Sequence, residues 1–145
     1  MTEKLRLDLQ ILLPHVPDKA DACVGRLIRE LEGRDGIEQV HVRDGEDGTP
    51  AQVCIHYDAE MLPLARIREI VEGAGAEISG RYGHASWEVD GIVHQRRART
   101  VGERLRALPG VLEAEASAAG RVAIEFDRER TSEQDLRKAL AELKV

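Results

Sequence analysis

The segment Val101–Asp127, VGERLRALPGVLEAEASAAGRVAIEFD, decides the fold because a helical repeat changes within it to a strand repeat. Residues 101–108 place valine and leucine at helical spacing, and Pro109-Gly110 ends that helix. Residues 111–117 and 121–126 alternate apolar and polar side chains, which is typical of half-buried strands. The segment therefore predicts a helix followed by a two-stranded hairpin.

The flanking residues extend this pattern in both directions. Ala85–Val89 alternates as a strand, and the helix that follows it is predicted over Gln95–Leu108. Downstream, Ser132 with Asp135 three residues later is typical of a helix N-terminus, and leucines follow at helical spacing. Residues 84–145 thus read as strand, helix, strand, strand and helix.

Residues 1–80 repeat the same order. Leucines and an isoleucine alternate over Leu5–Leu13, and Asp18 is placed to cap a helix. The strands predicted next contain residues 37–42 and 53–57. A second helix starts at Pro63, stops at Gly73 and Gly75, and precedes a short fourth strand at residues 76–80.

The repeated order predicts an α+β fold of two tandem ferredoxin-like βαββαβ modules. The predicted domains are residues 1–80 and 84–145, joined near Gly80–Gly83. The second module lacks most of its last strand because the sequence stops at Val145. This favours a fragment of a longer protein, and the alternative is a natural short end.

Composition excludes several classes of function. The formal charge of −6 argues against non-specific nucleic-acid binding, and one Trp, one Phe and two Tyr are too few for a base-stacking platform. No apolar run approaches the roughly 20 residues of a membrane-spanning helix, and no signal peptide is present. Cys23 and Cys54 do not form a disulfide framework. These features predict a cytoplasmic protein.

The second half resembles the heavy-metal-associated domain of metallochaperones and metal-transporting P-type ATPases. The resemblance rests on Val89-Asp90-Gly91, Leu108-Pro109-Gly110-Val111 and Phe126-Asp127 at the family's spacing. That family binds metal with the two thiolates of Gly-Met-x-Cys-x-x-Cys, and the corresponding positions here hold His94 and Arg97. Because a guanidinium cannot be a ligand, the family's usual metal site is absent.

The first half resembles a more divergent copy, in which the thiolate positions fall near Pro17 and Ala20. Tandem degenerate copies imply the cytosolic N-terminal region of a P-type ATPase that exports zinc, cadmium, cobalt or copper. The implied partner is the remainder of that ATPase. ATP hydrolysis and transport would belong to parts outside this chain, which is therefore not expected to be an enzyme.

A candidate metal site comes from alternation in the third strand. The apolar residues there must face the helices, so Cys54 and His56 face the other side of the sheet. The register of the second half's hairpin, carried over to the first, places His41 opposite Cys54. Imidazole and thiolate donors suit zinc, cobalt or cadmium, and Asp8 on the first strand can add a carboxylate. The alternative is a polar face that packs against the other module or another chain.

A candidate interaction site begins the helix of the second half. His94, Arg96, Arg97 and Arg99 form a basic run at a helix N-terminus, which favours anions. The functional interpretation is docking of an acidic protein partner or a phosphate-bearing group. The alternative is a solvated helix end.

An enzymatic alternative is acylphosphatase, which shares the ferredoxin-like topology. The pattern Val89-x-Gly91-x-Val93 followed by Arg99 resembles the phosphate cradle of that family. That chemistry also needs an asparagine to position water, and the chain contains none. The sequence therefore favours a binding module over a hydrolase.

Overall fold

Two three-stranded antiparallel sheets organise the chain, one in residues 1–80 and one in residues 81–145. The computed structural model describes residues 1–16, 18–46 and 48–145. Within these ranges, none of the helices is long and apolar enough to cross a membrane. Each of the two units has its own strands, helices and buried apolar residues.

The first unit consists of β1 (Thr2–Asp8), α1 (Leu9–Leu12), α2 (Ala22–Glu32), β2 (Ile37–Arg43), β3 (Gln52–Asp58) and α3 (Leu64–Arg81). Strand β3 is central, and both β1 and β2 pair with it in antiparallel fashion. Its inward side chains Val53, Ile55 and Tyr57 are buried, as the alternation predicts. They share the core with buried leucines, isoleucines and valines of α2 and α3.

The prediction that the first strand continues to Leu13 is wrong. Strand β1 ends at Asp8, and the next four residues form the short helix α1. Leu12 and Leu13 are both buried while Ile11 is 67% exposed, which a continuous strand with strict alternation cannot achieve. The helical turn lets two consecutive leucines enter the core.

The helix predicted to start at Asp18 starts later. Asp21 is the N-cap of α2, where its side chain accepts a hydrogen bond from the Cys23 backbone N–H at 2.9 Å. Asp18 instead accepts from the N–H of Ala20 in the preceding turn. Pro17, one of the two positions aligned with the family's thiolates, lies outside the described residues.

The predicted fourth strand at residues 76–80 is helical, because α3 continues through Gly73 and Gly75 to Arg81. Gly75 is buried against α1, and a Cβ added to it would lie 2.6 Å from the carbonyl oxygen of Leu12. This glycine therefore permits close approach of two backbones rather than ending the helix. The described sheet of this unit has three strands, so the βαββαβ prediction is corrected to βαββα.

The second unit consists of β4 (Tyr82–Glu88), α4 (Gln95–Arg106), β5 (Val111–Ala116), β6 (Arg121–Asp127) and α5 (Glu133–Glu142). Its strand order is β4-β6-β5, and these elements confirm those predicted from the sequence. Ser132 caps α5 by accepting from the N–H of Asp135 at 3.2 Å. Buried residues of α4, α5 and the sheet form one apolar cluster that includes Leu105, Val122 and Leu136.

A buried carboxylate closes the end of β6. Asp127 accepts a hydrogen bond from the Glu129 N–H at 2.9 Å, and Arg81 Nη2 lies 3.3 Å from its Oδ2. The backbone hydrogen bond first, and then the guanidinium, lower the pKa of Asp127. The N–H of Asp127 donates to the carbonyl of Gly110, whose φ of 86° suits a glycine.

We expect Asp127→Asn to make the free energy of unfolding depend less on pH in the acidic range. A carboxylate with a lowered folded pKa contributes stability above the ordinary aspartate pKa of about 3.9, and this is lost as pH falls through the folded value. The variant should be less stable than the wild type at pH 7 and lose less stability on acidification. Urea unfolding at a series of pH values measures this, and equal acid slopes would contradict it.

Candidate metal centre

The hairpin of β2 and β3 brings the three predicted metal-ligating side chains to one face of the first sheet. His41 is directly opposite Cys54 in the register, which confirms the pairing inferred from the second half. His56 pairs with Gln39, two positions further from the turn of the hairpin, so the two histidines are diagonal neighbours on one face. The corresponding pairing in the second sheet, Glu115 opposite Ala123, is also observed.

The two imidazole rings of this trio lie close enough together to bind one metal ion. The ring centroids of His41 and His56 are 5.3 Å apart, with the ring planes inclined by 42°. Zn–N bonds of about 2.0–2.1 Å in a tetrahedral site put the centroids of two imidazole ligands about 5 Å apart. The two imidazoles therefore fit a shared divalent ion, and the role of His41, Cys54 and His56 as a ligand set stays a prediction.

The face of the first sheet that carries His41, Cys54 and His56 is more buried than an open sheet face would be. Cys54 is only 3% exposed, and the two histidines are half-buried. The Nδ1 atom of His41 is buried without a hydrogen-bond partner among the described residues. A buried imidazole nitrogen without a partner carries a desolvation cost that an added ligand would offset.

Strand β1 contributes two cations and one carboxylate to the same face. Lys4 pairs with His56 and Arg6 pairs with Cys54, and both of these basic residues are exposed. Asp8, expected as an additional carboxylate, pairs with Gln52 and accepts a hydrogen bond from its Nε2 at 3.4 Å. The imidazole and thiolate donors therefore all belong to the β2–β3 hairpin, and Asp8 as an additional ligand stays a prediction.

The second unit contains a pair of possible metal-ligating side chains whose proximity the sequence does not predict. His84 on β4 is directly opposite Glu125 on β6, and His84 Nε2 lies 3.7 Å from Glu125 Oε1. The Glu125 side chain is 4% exposed, and that of His84 is 19% exposed. Alternation predicts the outward position of Glu125, but its partner depends on pairing between strands far apart in sequence. Nitrogen and carboxylate donors of this kind also suit divalent cations.

Two members of the predicted interaction site have structural roles. His94 is the N-cap of α4, and its Nδ1 accepts a hydrogen bond from the N–H of Arg97 at 3.3 Å. The guanidinium of Arg97 donates to the carbonyl oxygen of Leu143. Arg96 and Arg99 are exposed on the same helix. The position of the family's second thiolate is thus occupied by a residue that holds the C-terminal segment.

The loop before α4 also packs against that segment. A Cβ added to Gly91 would lie 2.5 Å from the Cα of Val145 and 2.7 Å from the Lys144 carbonyl oxygen. This close contact and the hydrogen bond of Arg97 fix residues 91–97 beside residues 143–145. The loop that carries the thiolates in heavy-metal-associated domains has a packing role here.

Comparison with solved structures identifies a relative that matches nearly the whole chain. The N-terminal extension of CzcP from Cupriavidus metallidurans is 50% identical, with a TM-score of 0.89, over 97% of this chain and 96% of that one. The chain belongs to the family of the CzcP N-terminal extension. This likeness supports a fold like that of heavy-metal-associated domains, while the division into tandem copies of that domain stays a prediction.

Two solved structures of the soluble N-terminal region of Bacillus subtilis CopA are more distant from this chain. Each is 21% identical with a TM-score of 0.40, over 99% of this chain and 90% or 88% of the other. No protein-family model matches the sequence. No curated protein matches it either.

Proposed function

We propose that this chain is the cytosolic, metal-binding regulatory region of a P-type ATPase that exports a heavy metal. The observation that carries the proposal is the 50% identity to the CzcP N-terminal extension over 97% of the chain. The resemblance of residues 84–145 to heavy-metal-associated domains points to the same kind of pump. Transport and ATP hydrolysis would then take place in other parts of that protein.

His41, Cys54 and His56 are the proposed ligands for zinc, cadmium or cobalt. The cross-strand pairing of His41 with Cys54 and the 5.3 Å between the imidazole centroids support this assignment. The buried His41 Nδ1, which has no hydrogen-bond partner within the described part of the chain, supports it as well. Two nitrogens and one sulfur leave room for a further ligand, such as water.

Titration with cobalt(II) tests the proposal, because a cobalt–thiolate bond produces a charge-transfer absorption. We expect the wild-type chain to develop this band and Cys54→Ala to lose it. Affinity should fall more than about 100-fold, because loss of even an outer hydrogen-bond partner of a ligand costs 10–100-fold. His15→Ala, which removes an exposed imidazole outside the trio, is the matched control and should bind as the wild type does.

Parallel titrations with zinc, cadmium and copper(I) separate the remaining alternatives. Cobalt binding without a thiolate band would favour nitrogen and oxygen donors such as His84 and Glu125. No binding of any of the four metals would contradict the proposal. It would favour an interaction module that retains the fold without a metal, a function consistent with the loss of the thiolate loop.

A further inference from the structure

Helix α4 exposes arginines along its whole length. Five of its twelve residues are arginine and one is acidic, in a chain whose formal charge is −6. Its buried side consists of Ala98, Val101, Gly102 and Leu105. The opposite side presents Arg96, Arg99 and Arg104 to solvent, together with Glu103. These three exposed arginines form the arginine face of α4.

The arginine face differs from the other arginines of the same helix. Arg97 donates to the Leu143 carbonyl oxygen, and Arg106 Nη1 donates to the Ala114 carbonyl oxygen at 2.6 Å. The guanidinium groups of Arg96, Arg99 and Arg104 have no hydrogen-bond or ion-pair partner among the described residues. Two arginines of α4 therefore hold the fold, and three are available to a partner.

We infer that the arginine face docks an acidic peptide segment, an inference that rests on the proposed function as part of a larger pump. Arg96 and Arg104 are eight residues apart, so the face extends about 12 Å along the helix. Arginine, unlike lysine, binds carboxylates in a bidentate manner, and α4 contains no lysine. A short run of Asp or Glu side chains matches this face in charge and in length.

The charge distribution favours a peptide over an anionic membrane. A bilayer surface is a plane wide enough to meet acidic residues of the same unit as well, and residues 80–145 carry eleven Asp and Glu against twelve Lys and Arg. Their repulsion acts over a Debye length of about 8–10 Å. A peptide of a few residues contacts only the arginine face and avoids most of that repulsion.

Binding of acetylated hexaglutamate by the full chain tests this inference. We expect salt-sensitive binding that the triple variant R96Q/R99Q/R104Q weakens roughly eightfold, since three exposed ion pairs contribute about twofold each. The charge-matched control is R66Q/R68Q/R137Q, which removes three exposed arginines from α3 and α5. This control should bind the peptide within about twofold of the wild type.

Three results would overturn the inference: no peptide binding by the wild type, equal loss in both triple variants, or membrane binding through the arginine face. The last is tested by co-sedimentation with vesicles of phosphatidylglycerol and phosphatidylcholine. Cobalt titration of R96Q/R99Q/R104Q separates this inference from the proposed function. Intact cobalt binding by this variant with weakened peptide binding would support docking as a second role. Peptide binding by the wild type without cobalt binding would contradict only the metal proposal.

Discussion

Replacing Gly75 with alanine will lower the free energy of unfolding by about 1–3 kcal/mol, the usual cost of forcing extra atoms into a packed site. The added Cβ would lie 2.6 Å from the Leu12 carbonyl oxygen and 3.2 Å from its carbonyl carbon. These are backbone atoms, so no side-chain rotation can relieve the contact. Either α1 or α3 must move, and the buried Leu12 must move with it.

Gly73 on the same helix provides the matched control. It is exposed, and a Cβ added there would meet no atom within 4 Å among the described residues. Alanine at this position should stabilise the chain by about 0.5–1 kcal/mol, because it lowers the entropy of the unfolded chain and favours the helix. Urea unfolding of both variants measures the difference. Equal effects of the two substitutions would contradict the proposed role of Gly75.

The opposite effects expected at these two glycines explain why the sequence predicts the end of α3 too early. In the local pattern, Gly73 and Gly75 indicate the end of a helix. The structure uses Gly75 for a contact with Leu12, which is more than sixty residues away and whose position no local pattern reveals. Because the local pattern does not show this contact, it also predicts a fourth strand at residues 76–80, which are helical in the structure. Tertiary packing overrode local propensity here.

The alternation of apolar and polar residues predicts burial and pairing correctly where the paired strands are consecutive in the sequence. Val53, Ile55 and Tyr57 are buried as predicted, and the pairing of His41 with Cys54 agrees with the register carried over from the hairpin of the second half. His84 and Glu125 are forty-one residues apart in the sequence and do not lie in one hairpin, so the register of a hairpin does not predict their pairing. Candidate ligands were therefore found within a hairpin and missed across the sheet.

The arginine run shows the same limit for charged residues. Composition identified Arg96, Arg97 and Arg99 as one basic group, but only tertiary contacts separate Arg97, bonded to Leu143, from its neighbours. Arg104 lies beyond this run in the sequence, although helical geometry places it on the same exposed side. A helical projection of residues 95–106 places Arg104 beside Arg96 and Arg99.

Replacing Leu105 with alanine will remove about 2–5 kcal/mol from the stability of residues 81–145, the range measured for buried leucines. Leu105 is fully buried in the apolar cluster of this unit, between residues of α4, α5 and the sheet. Truncation leaves a cavity, while the helix propensity of alanine is no worse than that of leucine. The loss therefore comes from packing. Leu112→Ala, at a position 37% exposed, should change stability by less than about 1 kcal/mol.

Trp87 makes this change visible in one unit of the chain. It is the chain's only tryptophan and packs against the same cluster, so its fluorescence follows residues 81–145, whereas far-ultraviolet circular dichroism follows every helix. If residues 1–80 form a separate domain, Leu105→Ala will shift the fluorescence transition to lower urea and leave part of the dichroism transition in place. A coincident shift of both signals would show that the two units unfold as one, and would contradict the division into domains.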